Sequence, residues 1–150
     1  MIFKNLNTKK EVDLIEYVRD YVSRFPETEI LIGCDSQNHK HFTTYAVVIA
    51  LYKPKKGANV LFHKTEEKYE KIRPIRLMNE VWKSIEIAEL LIKNNIIKAK
   101  YIDIDINPDK RYKSNEVLRS AVGLVEGMGY QVRYKSLGAL VTYAADTLVK

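Results

Sequence analysis

The sequence predicts an α/β domain built on a mixed sheet with helices on both faces. Three short β runs come in succession, and the second and third are joined by Lys53-Pro54-Lys55-Lys56-Gly57. Proline and glycine together mark a turn, so these runs read as an antiparallel meander. From residue 74 onward helical and strand patterns alternate, the order that builds strand–helix–strand units. The chain has 150 residues, 46% hydrophobic and 29% charged. That is one domain, able to bury roughly 68–70% of the surface its unfolded chain exposes.

Each element has its own signal. Thr8-Lys9-Lys10-Glu11 reads as a capping box, and Val12, Ile15, Tyr17, Val18, Tyr21 and Val22 recur at helical spacing behind it. Phe25-Pro26 ends the helix, because the residue before a proline is pushed out of the helical region. A helix over 9–25 follows, within an N-terminal helical extension of residues 1–28. Residues 29–35, 43–52 and 58–64 are the three strands. Leu77, Val81, Ile85, Ala88 and Ile92 make one stripe of a helix from Pro74 to Lys93, which Asn94-Asn95 breaks. Residues 100–106 alternate strictly in twos as a fourth strand, which Asn107-Pro108-Asp109 ends. Ser114 caps a helix to about Glu126, closed by Gly127-Met128-Gly129. Residues 130–134 form a fifth strand and 137–149 a last helix. No repeat or linker divides residues 29–150.

Composition excludes several classes of function. No apolar run approaches the roughly 20 residues that span a bilayer, so no membrane partner is expected. The start, MIFKNLNTKKEV, lacks the pattern of a secretory signal. The single Cys34 excludes an internal disulfide and a cysteine-rich zinc site, and a cytoplasmic location is the expectation. No glycine-rich phosphate loop, Ser-His-Asp ordering or zinc-finger spacing is present. The 25 Lys+Arg against 19 Asp+Glu give a net charge of +6 and a pI near 9.3. This is a mild bias towards polyanions such as nucleic acid, although lysine-rich thermophile proteins look similar.

The informative feature is where the carboxylates fall. On the fourth strand Ile102, Ile104 and Ile106 point one way, and Asp103 and Asp105 the other. Two carboxylates about 4 Å apart repel by about 4 kcal/mol at an effective dielectric near 20, and a divalent cation makes such a placement tolerable. The plain alternative is an edge strand with one solvated face. Asp35 ends the first strand and precedes the polar run Ser36-Gln37-Asn38. Sites in α/β sheets lie beyond the carboxyl ends of strands. If the first and fourth strands are parallel neighbours, Asp35 and Asp105 converge. Glu80 flanks the stripe of the long helix and can lean towards the sheet, with Glu86 and Glu89 as competitors. Asp146 projects away from the stripe of the last helix, so periodicity does not favour it.

Other residues invite readings of their own. His39 and His41, close after Asp35, suggest a transition-metal site or a substrate contact. His63 reads as a strand residue and Cys34 as a buried thiol. Lys110, Arg111 and Lys113, with Tyr112 among them, can hold a phosphate backbone and stack a base, or simply form a solvated loop.

The run Ile32-Gly33-Cys34-Asp35-Ser36-Gln37, with Asp103-Ile104-Asp105-Ile106-Asn107-Pro108, Tyr112-Lys113-Ser114 and Ala144-Ala145-Asp146, resembles the YkuK family of ribonuclease-H-like proteins from about residue 29 to 150. The resemblance implies a five-stranded mixed sheet of order 3-2-1-4-5 with strand 2 antiparallel, the leading helix being extra. It also implies acids that bind two Mg²⁺ or Mn²⁺ ions for phosphodiester hydrolysis. By position Asp35 matches the first-strand acid, Glu80 the helix acid, Asp105 the fourth-strand acid with Asp103 beside it, and Asp146 the last-helix acid. Asp146 enters on the resemblance alone, and the fourth strand offers two candidate ligands. The expected function is a two-metal nuclease acting on RNA, DNA or a hybrid. Asp35 and Asp105 bridge the ions, Glu80 and Asp146 complete the set, and Ser36, Gln37, His39, Lys110, Arg111, Tyr112 and Lys113 contact nucleic acid. The rivals are a noncatalytic nucleic-acid-binding or protein-interaction domain and a small-molecule phosphohydrolase.

Overall fold

The computed structural model of the chain describes residues 1–104, 115–134 and 148–149. In order these form β1 (Ile2–Asn5), β2 (Glu11–Asp13), α1 (Leu14–Arg24), β3 (Glu29–Asn38), β4 (Phe42–Lys53), β5 (Gly57–Lys68), α2 (Arg73–Lys93), β6 (Tyr101–Ile104), α3 (Asn115–Gly127) and β7 (Gln131–Tyr134). Among the described residues the sheet has seven strands, in the order β2-β1-β5-β4-β3-β6-β7. The expected five strands are β5-β4-β3-β6-β7 within it. Their order is 3-2-1-4-5; β4 is antiparallel to β3, and β6 is parallel to it.

The two extra strands correct the expected sheet and come from the N-terminal segment. β1 pairs antiparallel with β5 (Lys4 opposite Phe62) and with β2 (Phe3 opposite Val12). The helix expected over 9–25 therefore starts later, at Leu14. Two capping signatures compete here, Thr8…Glu11 and Asp13…Glu16. Pairing Glu11–Asp13 with β1 satisfies backbone groups that a helix begun at Lys9 would withdraw from the sheet. The later signature prevails, and Asp13 accepts a hydrogen bond from the Glu16 N–H at 3.1 Å. Thr8 instead accepts from the Lys10 N–H, in a turn where Lys9 has φ 62°.

The β4–β5 turn falls where proline and glycine place it. The Lys56 N–H donates to Lys53 O, and Gly57 has φ 96°, a conformation that favours glycine.

The sheet is buried on both faces. Ile30, Ile32 and Cys34 of β3, Tyr45, Val47, Ile49 and Leu51 of β4, and Ile102 and Ile104 of β6 share one core with α1, α2 and α3. Alternate residues Leu31, Val48, Ala50 and Phe62 form a second core, packed by Tyr101 and Leu148. Helices were expected on both faces; the buried side chains of all three described helices join the first core. Of the last expected helix only residues 148–149 are described. Within α2 the buried set is Leu77, Glu80, Val81, Ser84, Ile85, Ile87, Ala88 and Leu91, so Glu80 sits among the apolar side chains.

Candidate functional site

β3 is the central strand of this site. It lies between β4 and β6, and its described pairing with β6 runs from Leu31–Tyr101 to Gly33–Asp103. Its pairing with β4 continues five residues further, to Asn38–Thr43. Asp35 was expected to end the strand, with Ser36-Gln37-Asn38 as a loop. These residues are strand instead, because the β3–β4 hairpin keeps their backbone groups paired. The carboxyl-end position survives in another form: Asp35 lies just past the last described pairing with the parallel neighbour.

Asp35 is 7% exposed and Glu80 5%, and Ser36 links them. The Ser36 N–H donates to Asp35 Oδ1 at 2.8 Å, and the Ser36 hydroxyl donates to Glu80 Oε2 at 2.6 Å. The second bond is short, as hydrogen bonds to carboxylates are. Two acids 45 positions apart thus both bond to Ser36, Asp35 through the backbone N–H of its neighbour and Glu80 through the side-chain hydroxyl. Burying such carboxylates costs free energy that hydrogen bonds to the charged form offset. Both are felt by Cys34, whose thiol is pushed well above its ordinary value, first by burial and then by the charge of Glu80. Cys34 is a buried free thiol, as expected.

Asp103 has a different environment. It is 3% exposed, and Arg133 of β7 holds both its oxygens, Nε to Oδ1 and Nη2 to Oδ2, each at 2.8 Å. The two residues are direct partners across the parallel β6–β7 pair. Burial raises the Asp103 carboxyl above the usual value, and Arg133 opposes that rise without cancelling it. Sequence reasoning missed Arg133. The signal was an acid and a base on the fourth and fifth strands, legible only once those strands are set side by side in register.

Further contacts missed by the sequence brace the site. Asn38 donates to Glu70 O at 2.8 Å, and the Glu70 N–H donates to Thr43 Oγ1 at 2.9 Å. These bonds tie the β3–β4 hairpin to the segment entering α2. Asn79 of α2 donates to the Tyr45 hydroxyl at 3.1 Å, and Tyr45 is the β4 partner of Ser36. Lys83 lies over the Tyr45 ring and pairs with Glu67.

The remaining candidates disperse. His39 and His41 flank the tip of the β3–β4 hairpin, where the His39 ring stacks on Phe42 at 4.8 Å. Four strand residues place His39 about 13 Å along from Asp35, so the two do not form a metal site. His63 donates from Nδ1 to Ile2 O and stacks on Phe3, a structural role. Of the rival helix acids, Glu86 is exposed, and Glu89 accepts from the Tyr130 hydroxyl at 2.8 Å. Gln37 is half-buried on β3. Asp105, Asp146, Lys110, Arg111, Tyr112 and Lys113 lie outside the described residues. Among the described residues no three His, Cys, Asp or Glu side chains group to hold a metal ion.

The two acids gathered at Ser36 offer oxygen donors only, the chemistry hard cations such as Mg²⁺ and Mn²⁺ prefer. Among the described residues no helix is long and apolar enough to cross a membrane. A comparison with curated proteins finds no match. A model of the family described as ribonuclease H-like, the YkuK family, matches residues 13–150. The family model covers most of the chain, and the chain belongs to the ribonuclease H-like family.

Proposed function

We propose that the chain is a metal-dependent nuclease that hydrolyses phosphodiester bonds in nucleic acid. The observation that carries this reading is the joining of two buried acids, Asp35 and Glu80, through Ser36 on the central strand of a ribonuclease H-like sheet. Asp35 and Glu80 hold divalent cations, with Asp105 and Asp146 completing the ligand set. β3 and β6 run in parallel register from Leu31–Tyr101 to Gly33–Asp103. Asp105, two positions after Asp103 in the sequence, is taken as the ligand of the fourth strand in this reading. Asp103 is engaged by Arg133 and acts as the anchor of β6 to β7. Divalent cations supply Lewis-acid polarisation of the phosphate and activation of the attacking water. Ser36 orients the Glu80 carboxylate, and the bonds from Asn38 and Asn79 keep β3, β4 and α2 at fixed separation.

The test is cleavage of RNA, DNA and hybrid substrates with Mg²⁺ or Mn²⁺, comparing the wild type with Asp35→Asn and Glu80→Gln. The expected result is cation-dependent cleavage that either substitution reduces by at least about a hundredfold, the scale of losing an electrostatic contribution to the transition state. Undiminished cleavage in Asp35→Asn overturns the proposal. Turnover of small phosphoesters without action on polymers moves the activity to a different substrate class.

A further inference from the structure

Arg76 of α2 is out of keeping with an ordinary surface arginine. Such a side chain lays its stem on apolar surface and keeps its charged head in water. The Nε of Arg76 is instead buried with no hydrogen-bond partner, and among the described residues no ion pair holds its guanidinium. A guanidinium is always charged, so burying one of its N–H groups without an acceptor costs free energy.

The helix puts this group beside the candidate acids. Arg73, Arg76, Glu80 and Lys83 follow one another at spacings of three and four residues, which places them along one face of α2. Arg76 and Glu80 are one turn apart on it, with Cβ atoms about 5–6 Å from each other. Glu80 accepts from the Ser36 hydroxyl, and Lys83 is matched to Glu67. The nearby acid Glu70 accepts from the Ile72 N–H. The bonds from Asn38 to Glu70 O and from the Glu70 N–H to Thr43 tie the start of α2 to the β3–β4 hairpin. The first turns of α2 therefore lie towards the carboxyl end of β3, where sites in α/β sheets form.

A buried, unmatched guanidinium N–H takes an anion with oxygen acceptors, and the planar fork of arginine fits phosphate. The proposed reaction brings phosphates to this end of the sheet. A strand whose scissile phosphodiester sits at Asp35 and Glu80 carries further phosphates on either side, and these need a cation of their own. We propose that Arg76 holds a phosphate flanking the scissile bond of the nucleic-acid strand, with the exposed Arg73 as a looser second contact. The inference rests on the nuclease reading for the class of ligand, but the binding itself requires no metal ion.

The experiment compares the wild type with Arg76→Met and Arg76→Lys in the full chain. Affinity for a labelled single-stranded oligonucleotide is read by anisotropy in chelator, and Tm is read without ligand. Arg76→Met weakens binding about tenfold or more, the scale of a hydrogen bond to a charged group, and reduces the salt slope by about 0.7. Its Tm is unchanged or higher, because the stem is kept and an unmatched buried N–H is removed. Arg76→Lys keeps the salt slope and loses part of the affinity, since a point charge lacks the fork. With Mg²⁺ or Mn²⁺ present, Arg76→Met raises KM and leaves kcat nearly unchanged, as a contact made equally in ground and transition states requires.

Unchanged affinity in Arg76→Met overturns the proposal. So does a Tm lowered by more than about 4 °C, which marks Arg76 as structural. Inorganic phosphate that competes at the concentration of the oligonucleotide assigns Arg76 to a free anion and overturns it as well. Asp35→Asn keeps the binding in chelator while cleavage is lost. Affinity that depends on Arg76 in a wild type without cleavage removes the nuclease reading alone; cleavage whose KM ignores Arg76 removes this inference alone.

Discussion

Replacing Arg133 by methionine keeps a long apolar stem and removes the guanidinium that holds Asp103. The Asp103 side chain is 1% exposed and that of Arg133 19%, so the carboxylate is left in the interior without the guanidinium that holds both its oxygens. Breaking a buried pair from one side costs about 3–5 kcal/mol. The partial exposure of Arg133 and its position on the last described strand favour the lower end, about 3 kcal/mol, of a total stability of about 5–15 kcal/mol. For a domain of this size that lowers Tm by about 6–12 °C.

The sign of the pH dependence follows from the carboxyl. Burial holds the folded-state pKa of Asp103 above its ordinary value of 3.8, with Arg133 pulling against that rise. An acid raised in the fold favours the native state below its unfolded value, and that contribution is lost as pH rises through the folded value. Without Arg133 the carboxyl rises further, so Arg133→Met is most destabilising at neutral pH and nearly harmless near pH 4. The assay is urea unfolding of the wild type, Arg133→Met, Asp103→Asn and the double variant at both pH values. In the double variant most of the loss is recovered, a coupling of at least about 1.5 kcal/mol. A loss below about 1 kcal/mol, or one equal at both pH values, refutes this account of the pair. The double variant also retains cation-dependent cleavage if Asp105 and not Asp103 is the ligand; loss of cleavage with the fold intact reverses that assignment.

Three more outcomes can be checked. Ser36→Ala removes the hydroxyl that Glu80 accepts from and lowers unfolding free energy by about 1.5 kcal/mol; a change under about 0.5 kcal/mol in urea unfolding means the bond contributes nothing. Cys34 is 2% exposed, its thiol raised by burial and then by Glu80, so a thiol reagent labels it only at the rate of unfolding, and rapid stoichiometric labelling of the native protein contradicts its burial. Burial, then the hydrogen bond to Glu89, raises the Tyr130 hydroxyl far above its ordinary value of 10. The folded state keeps that proton while the unfolded state releases it, so stability falls as pH rises above about 10. Tyr130→Phe flattens that decline, and an unchanged slope in alkaline unfolding shows that Tyr130 does not cause it.

How legible the molecule was differs by element. The long helix was expected over 74–93 and is found at Arg73–Lys93, because its stripe repeats over about four turns and admits one period only. The Lys53–Gly57 turn was equally plain, since its proline and glycine act locally. Glu80 could be nominated from its place beside the stripe, and it is buried where that placement puts it. The N-terminal segment misled, because Thr8…Glu11 and Asp13…Glu16 are equally good local caps. Only the presence of β5 beside β1 decides between them.

The sequence by itself determined what depends on neighbours along the chain: the periods of strands and helices and their turns. The tertiary structure alone decided what depends on partners distant in sequence. It continued β3 past Asp35 by pairing it with β4, put Ser36 between Asp35 and Glu80, and gave Asp103 to Arg133. The physical reason is that a carboxylate's role follows from its burial and its donors, and donors 30 or 44 positions away leave no periodic trace in the chain.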